Sequence, residues 1–249
     1  MKVPLAALGL LLAASAVVLP NTGQAATSGG GWVPVAHFDM NERGTATVLR
    51  DSSGNRAHGR IGPRVTPTFR RYHFFTKASR TAFFRRKRID WIKDATGELN
   101  PGSYEDGWSV TVRFTWLKGN DMNLVQKGQG DPDGGIFKVK TSVPAAGQPE
   151  GYLKCLFRGA NGVNSQTESY SAPRSNDGKW HTLRCDILPT GGTRMLLDGV
   201  VVNTNPKSPG IIWNDWPVTI GGDIKCGDTF CNYWHGAIGF VRFKGWDKS

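Results

Sequence analysis

Between Arg56 and Lys93 the chain carries twelve Lys or Arg residues against one acid, Asp90, a balance of +11 that equals the formal net charge of all 249 residues. The rest of the protein is neutral on balance. Within this stretch Arg70, Arg71, Arg85, Arg86, Lys87 and Arg88 form the densest cations, interleaved with Phe74, Phe75, Phe83, Phe84 and Trp91. A localised positive field attracts polyanions by releasing their counterions and steering their encounter. Arg outnumbers Lys, which suits paired hydrogen bonds to carboxylate, sulfate or phosphate groups. The same run can also be read as a solvated face that keeps the protein soluble. The expected partner is an acidic polysaccharide or another polyanion of the cell envelope. No nucleic-acid-binding signature accompanies the charge, so nucleic acid is the weaker candidate.

A second constellation is aromatic. Trp213 and Trp216 flank Asn214 and Asp215 in IIWNDWP, and Tyr233 and Trp234 follow. Sugar rings stack on exposed indoles while amides and carboxylates meet the hydroxyls. The competing reading is that these tryptophans cover an edge of the core, since Trp is highly buried on average. Catalytic signatures are absent: there is no G-x-S-x-G and no H-E-x-x-H, and the five histidines are scattered.

The elements that must carry these groups are strands. In SVTVRFTWLK, Val110, Val112, Phe114 and Trp116 alternate with Ser109, Thr111, Arg113 and Thr115, the period of a sheet with one buried face. Similar runs occur at NLVQK, GIFKVK, YLKCLF, WHTLRCDI, RMLLDGVVV, PVTIGG and AIGFVRF, separated by Gly-rich turns. Asp198-Gly199 in MLLDGVVV is a two-residue hairpin signal. No segment sustains helical periodicity, so a two-sheet sandwich is expected. Trp180, in DGKWHTLRC, is read as a core residue.

The N-terminus has a short basic start at Lys2, an apolar run from Val3 to Leu19 and a small-x-small site at Gly23-Gln24-Ala25. It reads as a signal peptide over 1–25, followed by a flexible linker at 26–31 and one β-sandwich domain over 32–249. A secreted, extracellular protein is therefore expected, with cell-wall association one of its forms and no membrane span once the signal is removed. Four cysteines in such a chain point to disulfides. Of the three pairings, Cys155–Cys185 and Cys226–Cys231 are favoured. The first would staple two neighbouring strands and the second would close the short loop CGDTFC.

Taken in order, DSSGNRAHGRIG, LNPGSYEDGWSVTVRF, LVQKGQGDPDGGIFKVK, DGKWHTLRCDI, MLLDGVVV, PVTIGG and YWHGAIGFVRF resemble the laminin-G-like pattern of the concanavalin A-like lectin/glucanase superfamily, in its secreted actinobacterial form. The resemblance spans about Val35 to Phe243. It implies an all-β, concanavalin A-like jelly-roll sandwich of two antiparallel sheets. It also implies a non-catalytic, carbohydrate-binding role, with a glycoside hydrolase, a polysaccharide lyase or a protein-adhesion module as alternatives. Retaining glucanases of this fold carry E-x-D-x-x-E, whose alternation brings two carboxyls together on one strand face. Here the five glutamates, Glu42, Glu98, Glu105, Glu150 and Glu168, are too dispersed to form it. A lyase would want a His/Tyr/Arg/Gln set, of which Tyr233 with His235 is the only close pair. The resemblance further implies Ca²⁺, for which Asp39 and Asp51, with Asn41 and Asn55, are the candidate ligands. Gly239 stands where relatives often carry an acid on the last strand, which weakens that expectation.

Overall fold

The structure is a computed structural model that describes residues 30–62, 65–68, 72–75, 90–92, 99–103, 107–116, 119–129, 134–144, 146, 151–170, 172, 174–223 and 232–247. The densest cations, Arg70, Arg71 and Arg85 to Arg88, lie outside these residues, as do Cys226 and Cys231.

Sixteen strands run in chain order among the described residues. They are β1 (Gly31–Phe38), β2 (Val48–Leu49), β3 (Gly59–Arg60), β4 (Thr66–Pro67), β5 (His73–Phe75), β6 (Asp90–Ile92), β7 (Trp108–Thr115) and β8 (Asn123–Lys127). They continue as β9 (Ile136–Thr141), β10 (Leu153–Arg158), β11 (Asn164–Glu168), β12 (Trp180–Ile187), β13 (Thr193–Leu197), β14 (Val200–Asn205), β15 (Val218–Ile220) and β16 (Gly236–Asp247). A first sheet has the order β14-β13-β12-β7-β16-β5-β4, with β1 also pairing to β16. A second has the order β11-β10-β9-β8-β15-β6-β3-β2. Every pairing is antiparallel, as in β7 with β12 and β16, or β9 with β8 and β10. The expected all-β sandwich of two antiparallel sheets is what the chain forms.

The alternation in β7 does what its sequence requires: Val110, Val112 and Phe114 are fully buried while Arg113 is exposed. Trp108 and Phe243 of the first sheet meet Phe137 of the second, with ring centroids 6.4 and 6.2 Å apart. Each such ring removed from water contributes about 1.5–3 kcal/mol, so this cluster holds the two layers face to face. Asp198 (φ 51°) and Gly199 (φ 84°) form the tight turn between β13 and β14 that the sequence signals. The sequence reading misses β11, whose residues are all polar. Its Ser165 and Thr167 nevertheless point inward, and Ser165 Oγ is 2.8 Å from Thr193 Oγ1 of the first sheet.

Two expectations are corrected. Cys155 and Cys185 are bonded, with Cα atoms 5.7 Å apart, but β10 and β12 belong to opposite sheets. The bond crosses the sandwich and does not join neighbouring strands. Period-2 patterning shows that both cysteines face a core, not that they face each other across it. Trp180 is not a core residue: 37% of it is exposed. Leu183 and Cys185 point inward on β12, so Trp180, odd-numbered steps away from both, points out. Its indole lies over Gly239, where a Cβ would come within 3.0 Å of the ring. A side chain at residue 239 would therefore have to displace Trp180.

Candidate functional site

The segment joining β14 to β15 crosses one end of the second sheet, and sequence-distant groups hold it there. Gly102 N donates to Ile212 O at 2.8 Å, Ala160 N to Ile211 O at 2.9 Å and Trp213 N to Gly134 O at 2.6 Å. Gly134 has φ 79°, and a Cβ there would lie 1.7 Å from Trp213 O, so only glycine permits this approach. Asn214 is buried: its N–H donates to Asn100 Oδ1 at 2.9 Å, its Nδ2 to Gly135 O at 3.0 Å, and its Oδ1 accepts from Trp216 N at 3.1 Å. Lys127 is fully buried and donates from Nζ to Trp216 O at 2.7 Å.

These anchors present a different set of groups to solvent. Trp213 is 49% exposed and Ile211 69%. Asp215 is exposed and Trp216 half-buried. Gly134, Trp213, Asn214, Asp215, Trp216 and Pro217 line an open depression of about 760 Å³. The volume lies in the range of small-ligand sites. An exposed indole on a pinned backbone loses little freedom when a ring stacks on it, which favours binding through preorganisation.

The sequence-predicted aromatic set therefore divides. Trp213 and Trp216 meet at the depression. Trp234 is fully buried, donates from Nε1 to Thr115 O at 3.2 Å and packs on Phe114 and Trp116, so it has no face left for a sugar. Tyr233 is half-buried beside it. Asn214 cannot serve hydroxyls as expected, because its side-chain oxygen and nitrogen are both occupied in holding the loop. Asn100, Lys127 and Gly134 escape sequence reasoning altogether. Each is distant from residue 213 along the chain, and the segments LNPGSYEDGWSVTVRF and LVQKGQGDPDGGIFKVK that contain them give no sign of contact with it.

Three of the four candidate calcium ligands, Asp39, Asp51 and Asn55, are already engaged within the fold. Asp51 Oδ1 accepts from the backbone N–H groups of His37 (2.8 Å) and Ser53 (2.9 Å), and Oδ2 from Ser53 Oγ (2.8 Å) and Ala57 N (3.0 Å). Burial raises its pKa, but these hydrogen bonds outweigh burial and hold the carboxyl below the ordinary range. Asp39 accepts from Ser52 Oγ at 2.7 Å and lies 2.9 Å from His37 Nε2. Asn55 Nδ2 donates to Pro34 O and Val35 O. The Asp-Ser-Ser-Gly-Asn turn thus spends its oxygens on fastening itself to β1. Among the described residues no three His, Cys, Asp or Glu side chains gather as a metal site.

Two of the five glutamates are described, and both are structural. Glu42 is buried 3.0 Å from His73 and accepts from Arg50 N, while Glu168 pairs with Lys154 at 2.5 Å.

No protein-family model matches the sequence, and no curated protein matches it. Solved structures match in fold. Domain 4 of AbnA, a GH43 extracellular arabinanase from Geobacillus stearothermophilus solved with arabinotriose, superposes with a TM-score of 0.51 at 13% identity, covering 86% of this chain and 93% of that one. The receptor-binding domain of a botulinum neurotoxin C/D mosaic serotype gives 0.58 at 11% identity, covering 87% and 48%. The binding domain of Paraclostridial Mosquitocidal Protein 1 gives 0.55 at 10% identity, covering 86% and 48%. This chain spans about half the length of the two toxin domains. At such identities the likeness is one of fold.

Proposed function

We propose that this protein is a secreted, non-catalytic carbohydrate-binding module of laminin-G-like type whose ligand is an acidic glycan. The observation that carries the reading is Trp213, a half-exposed indole on a loop whose backbone is held by four sequence-distant segments, at the lip of a depression of about 760 Å³. Asp215 stands next to it, exposed, with no hydrogen-bond donor on its carboxylate among the described residues. A sugar ring stacks on the indole and its hydroxyls donate to Asp215. Fold neighbours with binding roles support this reading: one was solved with arabinotriose and others are receptor-binding domains. The acidic character of the ligand rests on the +11 net charge and its concentration between Arg56 and Lys93. The described glutamates, Glu42 beside His73 and Glu168 paired with Lys154, are held in the fold, which favours binding over hydrolysis.

A glycan array followed by calorimetry on the best ligand tests it. Trp213→Ala should weaken binding by about thirtyfold, the equivalent of about 2 kcal/mol for a central aromatic anchor. Unchanged affinity in that variant, or release of reducing ends from any bound polysaccharide, would overturn the proposal.

A further inference from the structure

The outer face of the first sheet is a ladder of cations laid on aromatic rings. On β12, β7 and β16 the inward residues are Leu183, Val112 and Val241, which share one row. The residues between them in sequence therefore point away from the core. In the next row Arg184, Thr111 and Arg242 stand in register, followed by Asp186, Ser109 and Lys244. Arg194 of β13 lies opposite Asp186, and Arg113 opposite Thr182 and Phe240.

The guanidinium groups are placed by rings. Arg113 Cζ lies 4.6 Å from the Trp180 centroid, Arg184 Cζ 5.3 Å from Trp32 and Arg242 Cζ 4.2 Å from Phe240. Such stacking holds a guanidinium in place while leaving its edge for an anion. Trp180 is itself fixed, over Gly239 on one side and edge-on to Tyr72 at 5.6 Å.

The charges do not cancel. Asp186, fully buried, accepts from Arg184 Nε at 2.7 Å and from Arg194 Nη2 at 2.7 Å, so one carboxylate serves two cations. Asp39, at the β1 edge, lies 2.9 Å from His37 Nε2, which accepts from Arg242 Nε at 2.6 Å. Asp177 and Asp198, at the far corner, are held by His181. Arg113, Arg242 and Lys244 are exposed and form no ion pair with a carboxylate among the described residues. Arg184 and Arg242 stand two strands apart, about 10 Å, on the scale of the repeat of an alternating acidic polysaccharide.

We infer that this face is a second binding surface, on which an acidic polysaccharide lies with its carboxylate or sulfate groups on Arg113, Arg184, Arg242 and Lys244 and its rings against Trp180, Phe240 and Trp32. A polymer of sugars uses both halves of the surface, whereas a simple anion would use only the cations. The inference rests on the acidic-glycan reading above but not on the Trp213 depression.

Calorimetry at several salt concentrations tests it, with polygalacturonate as the carboxylate probe, heparin as the sulfate probe, neutral dextran and single-stranded DNA. The variants are Arg113→Ser/Arg242→Ser/Lys244→Ser, Trp213→Ala, and Arg85→Ser/Arg86→Ser/Lys87→Ser/Arg88→Ser. All three sheet substitutions are at exposed positions, and circular dichroism checks that each variant folds. The wild type should bind one or both acidic probes. The sheet variant should lose at least tenfold in affinity, and its log Kd against log salt should flatten by about 2 to 3. Trp213→Ala should leave the salt slope unchanged even where it weakens affinity, because it removes no charge, so the two sites fail separately. The inference is overturned if the wild type binds neither acidic probe, or if the sheet variant keeps wild-type affinity and slope, whether or not the 85–88 variant loses them. Binding of dextran as tight as that of the acidic probes overturns it too, as does DNA binding that exceeds both.

Discussion

Replacing Cys155 and Cys185 together by Ala removes the covalent tie between the two sheets. The bond closes a loop with a sequence separation of 30 residues, and the chain-entropy relation assigns such a loop about 3.6 kcal/mol at 25 °C. Both cysteines are fully buried, so losing the sulfur atoms adds about 1 kcal/mol for packing. The double variant should be less stable by about 4 to 5 kcal/mol, a fall in Tm on the order of 10 °C for a domain of this size. Urea titration of the oxidised protein, the reduced protein and the double variant measures this through tryptophan fluorescence. Trp108, Trp116 and Trp234 lie in the core and report its exposure. Reduction alone should give most of the effect, because the loop-closure contribution is lost without changing side chains. A midpoint shift worth less than about 1 kcal/mol, with m unchanged, would refute the reasoning. It would mean that the aromatic cluster around Trp108, Phe137 and Phe243 already restrains the unfolded chain as the bond does.

Two more outcomes follow from local geometry. His181 lies 2.7 Å from Asp198 and 2.9 Å from Asp177. Its burial lowers its pKa, but the two carboxylates outweigh burial and raise it above the ordinary value. The raised pKa stabilises the fold fully below about pH 6.5, the unfolded value, and that stability is lost as pH rises through the folded pKa. Thermal melts from pH 5.5 to 9 should therefore fall more steeply for the wild type than for His181→Gln; parallel curves would remove His181 from the account. At Gly134, Ala places a Cβ 1.7 Å from Trp213 O and also meets φ 79°. It should cost about 1–3 kcal/mol and weaken glycan binding. Ala at Gly178, where φ is 76° but nothing lies within 4 Å, should cost only about 1 kcal/mol and leave binding intact. Equal effects at the two glycines would show that the close approach to Trp213 carries no weight.

Strand existence is legible in the chain because it is a local property. Val110, Val112 and Phe114 alternate with polar residues, and Asp198-Gly199 tolerates the two positive φ angles of a tight turn. Even the outward position of Trp180 is implicit in WHTLRCDI once Leu183 and Cys185 are taken as the inward pair. An expectation that a large indole must be buried overrides that signal. β11 is invisible for the opposite reason: its inward positions are Ser165 and Thr167, and only contact with Thr193 of the other sheet reveals why polar side chains face inward there.

The amino-acid order by itself determines that this is a sandwich of strands, that its charge is unevenly held, and that Cys155 and Cys185 each face a core. Tertiary structure alone decides that they meet across two sheets, that Gly134, Asn100 and Lys127 fix Trp213 at a lip, and that Arg113, Arg184 and Arg242 share a face. The physical reason is that strand pairing is non-local. Alternation divides each strand into two faces, but hydrogen bonding between distant strands chooses which faces become neighbours.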